Sequence, residues 1–233
     1  MNGNVLITGV NRGLGEEMFR LFISKGYTVY GIVRNENEAE KLISTLPKNG
    51  RVILADLSKE ESICSIQSSI GDEPIDLLIN NAGVGGSEYL LDNVQSKEIL
   101  DLFNIHCLGV FRTIKALKVN LARSNEPIVL NMNSRLGSIT KQGNGTYDNI
   151  SVSYSYGIAK AAQNMLTNFL RSEFMGEIKF ISIHPGKMKT KIAQIDADTE
   201  PIEVAIKILQ FYERGTCIEE NGIVELGKEL IEW

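Results

Sequence analysis

Tyr156 and Lys160 stand four residues apart in the stretch VSYSYGIAKAAQNML, Val152 to Leu166. On a helix that spacing puts both side chains on one face, about 5–6 Å apart at Cβ. Free tyrosine has a pKa of about 10 and is a poor base near neutrality. A neighbouring ammonium favours the phenolate and lowers that value. The pair could therefore exchange a proton with a reacting oxygen. Spacing alone does not decide this, because any helix with both residue types shows such pairs by chance.

A second cluster lies near the start. TGVNRGLG, Thr8 to Gly15, follows a short apolar run and precedes an amphipathic one. Glycines at 9, 13 and 15 allow a tight turn and a close backbone approach to a ligand. The helix that begins near Leu14 offers free N–H groups and the positive end of its dipole to a phosphate. The spacing, G-x-x-x-G-x-G, is a variant of the dinucleotide fingerprint. An NAD site places an acid after the second strand, whereas an NADP site uses a basic residue for the 2′-phosphate. Here the second strand ends GIVRN, with Arg34 where the acid would stand and Arg12 inside the glycine loop. Two guanidiniums suit a phosphate, which points to NADP(H).

These clusters need a scaffold. Short β-like runs alternate with helical ones: strands at 4–9, 28–34, 51–57, 75–83, 126–134, 178–186 and 221–226. Helices are expected at 15–26, 37–46, 60–70, 95–123, 152–174 and 201–214, with a polar loop at 135–151. Continuous apolar strands between helices predict an α/β Rossmann fold: a doubly wound, mainly parallel sheet covered on both faces. No linker or repeat interrupts it, so one domain over residues 1–233 is expected. Ligands of such sheets bind beyond the carboxyl ends of the strands, where the strand order reverses.

Bulk properties exclude other classes. A formal net charge of −5 on 233 residues argues against a nucleic-acid or anionic-membrane surface. No apolar run approaches a membrane span, and the N-terminus lacks a secretory pattern. Cys64, Cys107 and Cys217 are widely spaced, and His106 and His184 are the only histidines. No metal site or disulfide framework is expected, and a reducing, cytoplasmic location is the simplest reading.

With these motifs in order, the chain resembles the classical short-chain dehydrogenase/reductases over essentially its whole length. The cofactor loop is TGVNRGLG; ADL puts Asp56 where the family contacts adenine; NNAG occupies 80–83; NSRLG supplies Ser134; YGIAK supplies Tyr156 and Lys160; HPGKMKT ends in Thr190. The resemblance implies cofactor contacts from Thr8, Gly9, Asn11, Arg12, Gly13, Leu14, Gly15, Arg34, Asp56, Leu57, Asn81, Ala82, Gly83, Tyr156, Lys160, Pro185, Gly186, Met188 and Thr190. It implies Tyr156 as proton donor in reduction, Ser134 as partner of the substrate oxygen, and Lys160 as a ribose ligand. NSRLGSI and the ending GKELIEW look most like small carbonyl reductases of the C-factor and sniffer type. Those imply NADPH-dependent reduction of an aldehyde or ketone.

One position departs from the pattern. The family's fourth catalytic residue is an asparagine three before a glycine in the central helix. Here FNIHCLGVF puts His106 there, and Asn104 two residues earlier. At about 100° per residue the two side chains point roughly 200° apart, so Asn104 cannot serve without a local bulge. His106 either takes over the proton relay, or is a packed helix histidine, or slows turnover. His184 reads as structural. Two functions therefore stand: a carbonyl reductase, or an NADP(H)-binding regulator with little turnover. A structural role without nucleotide is a more distant third. Residues 191–203, with Glu88, Tyr89 and Tyr147, are expected around the substrate. The helices at 95–123 and 152–174 are candidates for pairing copies into a dimer or tetramer, while the small relatives can also be monomers.

Overall fold

The computed structural model describes residues 2–189, 199–215, 222–226 and 230–233. Strands β1 (Asn4–Thr8), β2 (Thr28–Val33), β3 (Gly50–Leu54), β4 (Leu77–Asn80), β5 (Ile128–Met132), β6 (Lys179–His184), β7 (Ile223–Glu225) and β8 (Leu230–Ile231) form one sheet. Its order is β3-β2-β1-β4-β5-β6-β7-β8. All neighbours are parallel except β7 and β8. The chain winds outward from β1 to β3, then returns to lay β4 on the other side of β1. The reversal leaves a crevice beyond Thr8 and Asn80, where the two loops part.

Helices cover both faces. Alternate residues of each strand point to opposite sides, so Val5 and Ile7 join one core and Leu6 the other. The first core lies under α1 (Gly13–Ser24), α2 (Glu36–Ile43) and α8 (Pro201–Glu213), with Met18, Phe19, Phe22 and Ile208 fully buried. The second lies under α3 (Ser62–Ile70), α5 (Gly109–Ala122) and α7 (Tyr154–Glu173), around Ile66, Leu117 and Leu121. Burial of these apolar side chains is the main favourable term.

The apolar period predicts one helix over 95–123. The backbone instead holds α4 (Ser96–Phe103), a π turn (Asn104–Leu108) and α5. The Gly109 N–H reaches back to Asn104 O, one residue further than in an α-helix. Asn104 and His106 then face different neighbours. Asn104 donates to Ser58 O at 2.9 Å and accepts from Arg112 Nη1 at 2.8 Å. The expected polar loop at 135–151 also contains a 3₁₀ turn (Arg135–Gly137) and a short helix, α6 (Ile139–Gly143). Ser138 caps α6, accepting from Lys141 N, and donates to Glu232 O. The C-terminal strand β8 has no counterpart in the sequence reading.

Arg112 is the anchor of the π turn. Besides Asn104, it donates to Leu57 O and to Glu60, both at 2.9 Å, and is only 9% exposed. Arg112→Met would leave three acceptors without their donor. The expected loss is about 2 kcal/mol or more of unfolding free energy, read by urea denaturation. Arg112→Lys is expected to recover little, because an ammonium lacks the guanidinium fork.

Candidate active site

The glycine loop sits where strand order reverses. Gly9 (φ 73°) adopts a left-handed conformation there. Gly15 has no room for a side chain: a Cβ would lie 2.1 Å from Gly9 O. The neighbouring loop is tied to it. Thr8 Oγ1 accepts from the N–H groups of Asn81 and Ala82, both at 2.9 Å. Asn81 Nδ2 donates to Thr8 O at 3.0 Å and Gly9 O at 3.2 Å. Arg12, the residue before α1, makes no side-chain cap, so its side chain leaves the helix's first N–H groups unengaged.

A cleft of about 1460 Å³ runs from this loop to Tyr156. Gly9, Asn11, Arg12, Gly13, Leu14 and Gly15 line one end, with Arg34, Asp56 and Leu57 beside them. Asn81, Ala82, Gly83 and His106 line the middle, and Ser134, Tyr156, Lys160, Pro185, Gly186 and Met188 the other side. Thr8 stands behind the wall as a brace. Thr190, residues 191–198 and Cys217 lie outside the described residues. Tyr89 lines the cleft, but Tyr147 does not: it is 5% exposed and its hydroxyl donates to Arg135 O at 2.8 Å. Glu38, absent from the expected set, joins the lining and accepts from Asn11 Nδ2 at 2.6 Å. Its place in the first turn of α2 became visible only once β2 and α2 were packed. Asp56 accepts from Ser58 N and Oγ. Burial pushes its pKa up, but these bonds outweigh burial and hold it below the ordinary value.

Ser134 follows β5 and begins the 3₁₀ turn, with its Oγ accepting from Leu136 N. That turn docks on α7 at Gly137, where a Cβ would lie 2.8 Å from the Lys160 carbonyl carbon. The close approach brings Ser134 beside Tyr156, where its hydroxyl favours the phenolate. Lys160 Nζ lies 5.7 Å from the centre of the Tyr156 ring and donates to Met132 O at 2.7 Å and Gln163 Oε1 at 2.9 Å. The His106 ring meets the Tyr156 ring edge-on, centroids 5.4 Å apart. Its Nε2 lies 2.8 Å from Val84 O and 3.4 Å from Val84 N. The shorter contact assigns the proton to Nε2.

Burial drives these groups toward neutrality. Burial raises the Tyr156 pKa to about 12, against the Ser134 hydroxyl, so at neutral pH it is a phenol. The expected lowering by Lys160 does not emerge, because desolvation of the phenolate dominates. Burial lowers Lys160 to about 7. Burial first, and then the charge of Lys160, lowers His106 to about 3.

The model of the short chain dehydrogenase family matches residues 3–201, and the chain belongs to that family. A 3-oxoacyl-[acyl-carrier-protein] reductase of Vibrio harveyi is 29% identical over 144 residues, which span 61% of this chain and 59% of that protein. Human dehydrogenase/reductase SDR family member 11 is 27% identical over 232 residues, 94% of this chain and 85% of its own. Among solved structures, the carbonyl reductase Sniffer of D. melanogaster is similar at TM-score 0.84 and 25% identity, covering 99% of both chains. An NADPH-bound carbonyl reductase from chicken fatty liver has TM-score 0.85 at 20% identity, covering 99% of this chain and 98% of its own. Among the described residues, no group of side chains could hold a metal ion, and no helix is long and apolar enough to cross a membrane.

The His106 pKa, about 3 in the fold against about 6.5 unfolded, has a measurable consequence. Below about pH 6.5 the unfolded chain binds the proton first, so this group lowers stability progressively as pH falls toward 3. His106→Asn is expected to flatten that part of a stability-versus-pH curve between about pH 6.5 and 4. An unchanged slope would show that the ring takes up a proton in the folded protein.

Proposed function

We propose that the chain is an NADP(H)-dependent oxidoreductase that reduces an aldehyde or ketone to an alcohol. The observation that carries this is the convergence of Ser134, Tyr156 and Lys160 on one cleft that reaches the uncapped start of α1. The residues present fit the dinucleotide. Gly15 leaves a cradle that a Cβ would fill, and the first N–H groups of α1 suit a pyrophosphate. Asp56, held ionised by Ser58, suits polar contact at the adenosine end. Arg12 and Arg34 are exposed at that end and supply charge for a 2′-phosphate. Glu38 opposes an anion there, but Asn11 engages its carboxylate. The name of the chicken enzyme, an NADPH-bound carbonyl reductase, agrees with this choice.

The bound cofactor supplies the hydride. Tyr156, a phenol at neutral pH, donates its proton to the substrate oxygen. Ser134 donates a hydrogen bond to the same oxygen and stabilises the charge that develops there. Lys160 holds a ribose hydroxyl and stabilises the tyrosinate left behind. His106 braces the loop after β4 against Tyr156. With a pKa near 3 its ring is uncharged at neutral pH, and its single proton, on Nε2, is held by a carbonyl. That observation also favours the second reading, an NADP(H)-binding protein with little turnover, because the usual relay asparagine is missing.

Free Cys64 and Cys107 fit a reducing, cytoplasmic compartment. Exposed Leu100, Phe111, Met165 and Phe169 on α4, α5 and α7 suit pairing into a dimer or tetramer.

NADPH consumption over a panel of aldehydes, ketones, diketones and quinones tests the reading. Tyr156→Phe is expected to lower kcat by about 10²–10⁴ and to leave NADPH affinity unchanged. Undiminished turnover would remove Tyr156 as the acid. Binding of NADPH without turnover of any compound by the unaltered protein would support the regulator. Arg34→Ala is expected to weaken NADPH binding about tenfold while sparing NADH.

A further inference from the structure

We propose that Gln163 is a positioning residue: its side-chain oxygen holds the Lys160 ammonium in place and keeps it charged without a carboxylate counter-ion. The proposal rests on the reading of Lys160 as part of the reductase site.

A lysine ammonium has three N–H donors and no acceptor. Two are engaged here, by Met132 O at 2.7 Å and Gln163 Oε1 at 2.9 Å. The third remains for a ligand hydroxyl. Met132 contributes a backbone carbonyl at the end of β5, which any residue there would provide. Gln163 contributes a side chain, and so a choice made by this sequence. It lies three residues beyond Lys160 on α7, on the same face, and is 1% exposed. Its orientation follows from chemistry: only the amide oxygen can accept from an ammonium.

The surroundings offer no substitute. Tyr156 on its own helix and His106 on the π turn act on Lys160, Arg135 on the turn after β5 and His184 at the end of β6 line the same cleft, and its acids, Glu38 and Asp56, belong to the glycine-loop side. None of the first four is negative near neutrality, and burial alone accounts for the shift at Lys160. Among the described residues no ion pair involves Lys160. A buried cation without a counter-charge is costly unless dipoles compensate it. Burial has already brought Lys160 to about 7, where a single dipole decides its protonation state. An apolar residue at 163 would leave one carbonyl to do this alone.

The test reads Lys160 directly in the ligand-free protein. Lysine carbons are ¹³C-labelled, and the Lys160 Cε resonance is assigned by its disappearance in Lys160→Met. It is then titrated in the wild type, Gln163→Met and Gln163→Glu. Gln163→Met is expected to lower the Lys160 pKa by about one unit or more, at least tenfold in the ionisation constant. Gln163→Glu is expected to raise it by about as much. A purely structural role would not move the two variants in opposite directions. If Gln163→Met fails to fold, the upward shift in the near-isosteric Gln163→Glu carries the test. Identical titrations in wild type and Gln163→Glu would overturn the proposal. Because no substrate is present, the outcome stands apart from the reductase reading: a shifted titration without carbonyl reduction refutes that reading and upholds this one. Where reduction is measured, the loss of kcat with rising pH should begin at lower pH in Gln163→Met and at higher pH in Gln163→Glu.

Discussion

The structure depends on a polar seam buried beneath α7. Lys160, Gln163, Asn164 and Thr167 recur at i, i+3, i+4 and i+7, the spacing of one helix face, and all are 5% exposed or less. This face lies against the sheet. Thr167 accepts from Asn131 Nδ2 at 2.9 Å, and Asn131 in turn accepts from Asn80 on β4 at 2.9 Å. Asn164 bonds Asn133 and donates to Gly137 O at 3.1 Å. Each such group left unpaired in a low-dielectric interior costs about 1–3 kcal/mol. Sliding α7 by a residue would break several of these bonds together. The seam therefore fixes the height of α7 on the sheet, and with it the position of Tyr156 over the ends of β4 and β5.

The same low dielectric governs the chemistry. Tyr156, Lys160 and His106 are all driven toward their neutral forms. Only oriented dipoles oppose this: Ser134 at the phenol, Met132 O and the Gln163 amide at the ammonium. For His106 the Val84 carbonyl is too weak to restore the charge, and the ring stays neutral. A site built this way stores a proton on Tyr156 rather than a negative charge. That state suits reduction, in which the oxygen of the product must receive a proton. On the proposed function the reverse reaction would need the phenolate, which Ser134 favours too weakly to overcome burial and a bound positive charge would favour further.

Much of this order was legible in the residues, and the exceptions have physical causes. Strand–helix alternation was readable because apolar runs and 3.6-residue periods differ over whole segments; the ends shifted by a few residues, as at β4, read as 75–83 and observed as 77–80. The glycine loop, Ser134, Tyr156 and Lys160 were readable because each follows a strand, and the fold brings strand ends together. The buried face of α7 was not. Its polar stripe faces inward, while Ile158, Met165 and Phe169 are exposed, the inverse of what amphipathicity implies. The polar side chains under it, Asn131 on β5, Asn133 just beyond it and Ser182 on β6, explain the inversion. Tyr147, taken from sequence as a pocket residue, is drawn inward by the Arg135 carbonyl. β8 escaped notice because two residues paired with β7 carry no periodicity.

The π turn shows how one irregularity serves both sides of the helix. A single extra residue in the ladder breaks the α pattern between Phe103 and Gly109, and such a turn persists only if the surroundings compensate for it. Asn104 is pinned toward Ser58 and Arg112, and His106 toward Val84. These anchors pull in different directions. Closing the turn into regular α-helix would rotate α5 relative to α4 and detach one of them. Releasing Asn104 would leave Arg112, itself 9% exposed, with one acceptor fewer; releasing His106 would unseat the ring that flanks Tyr156. The irregular turn is thus held by the loop after β3 on one side and the loop after β4 on the other. It ties the Asp56–Leu57 side of the cleft to the Tyr156 side through three side chains, Arg112, Asn104 and His106.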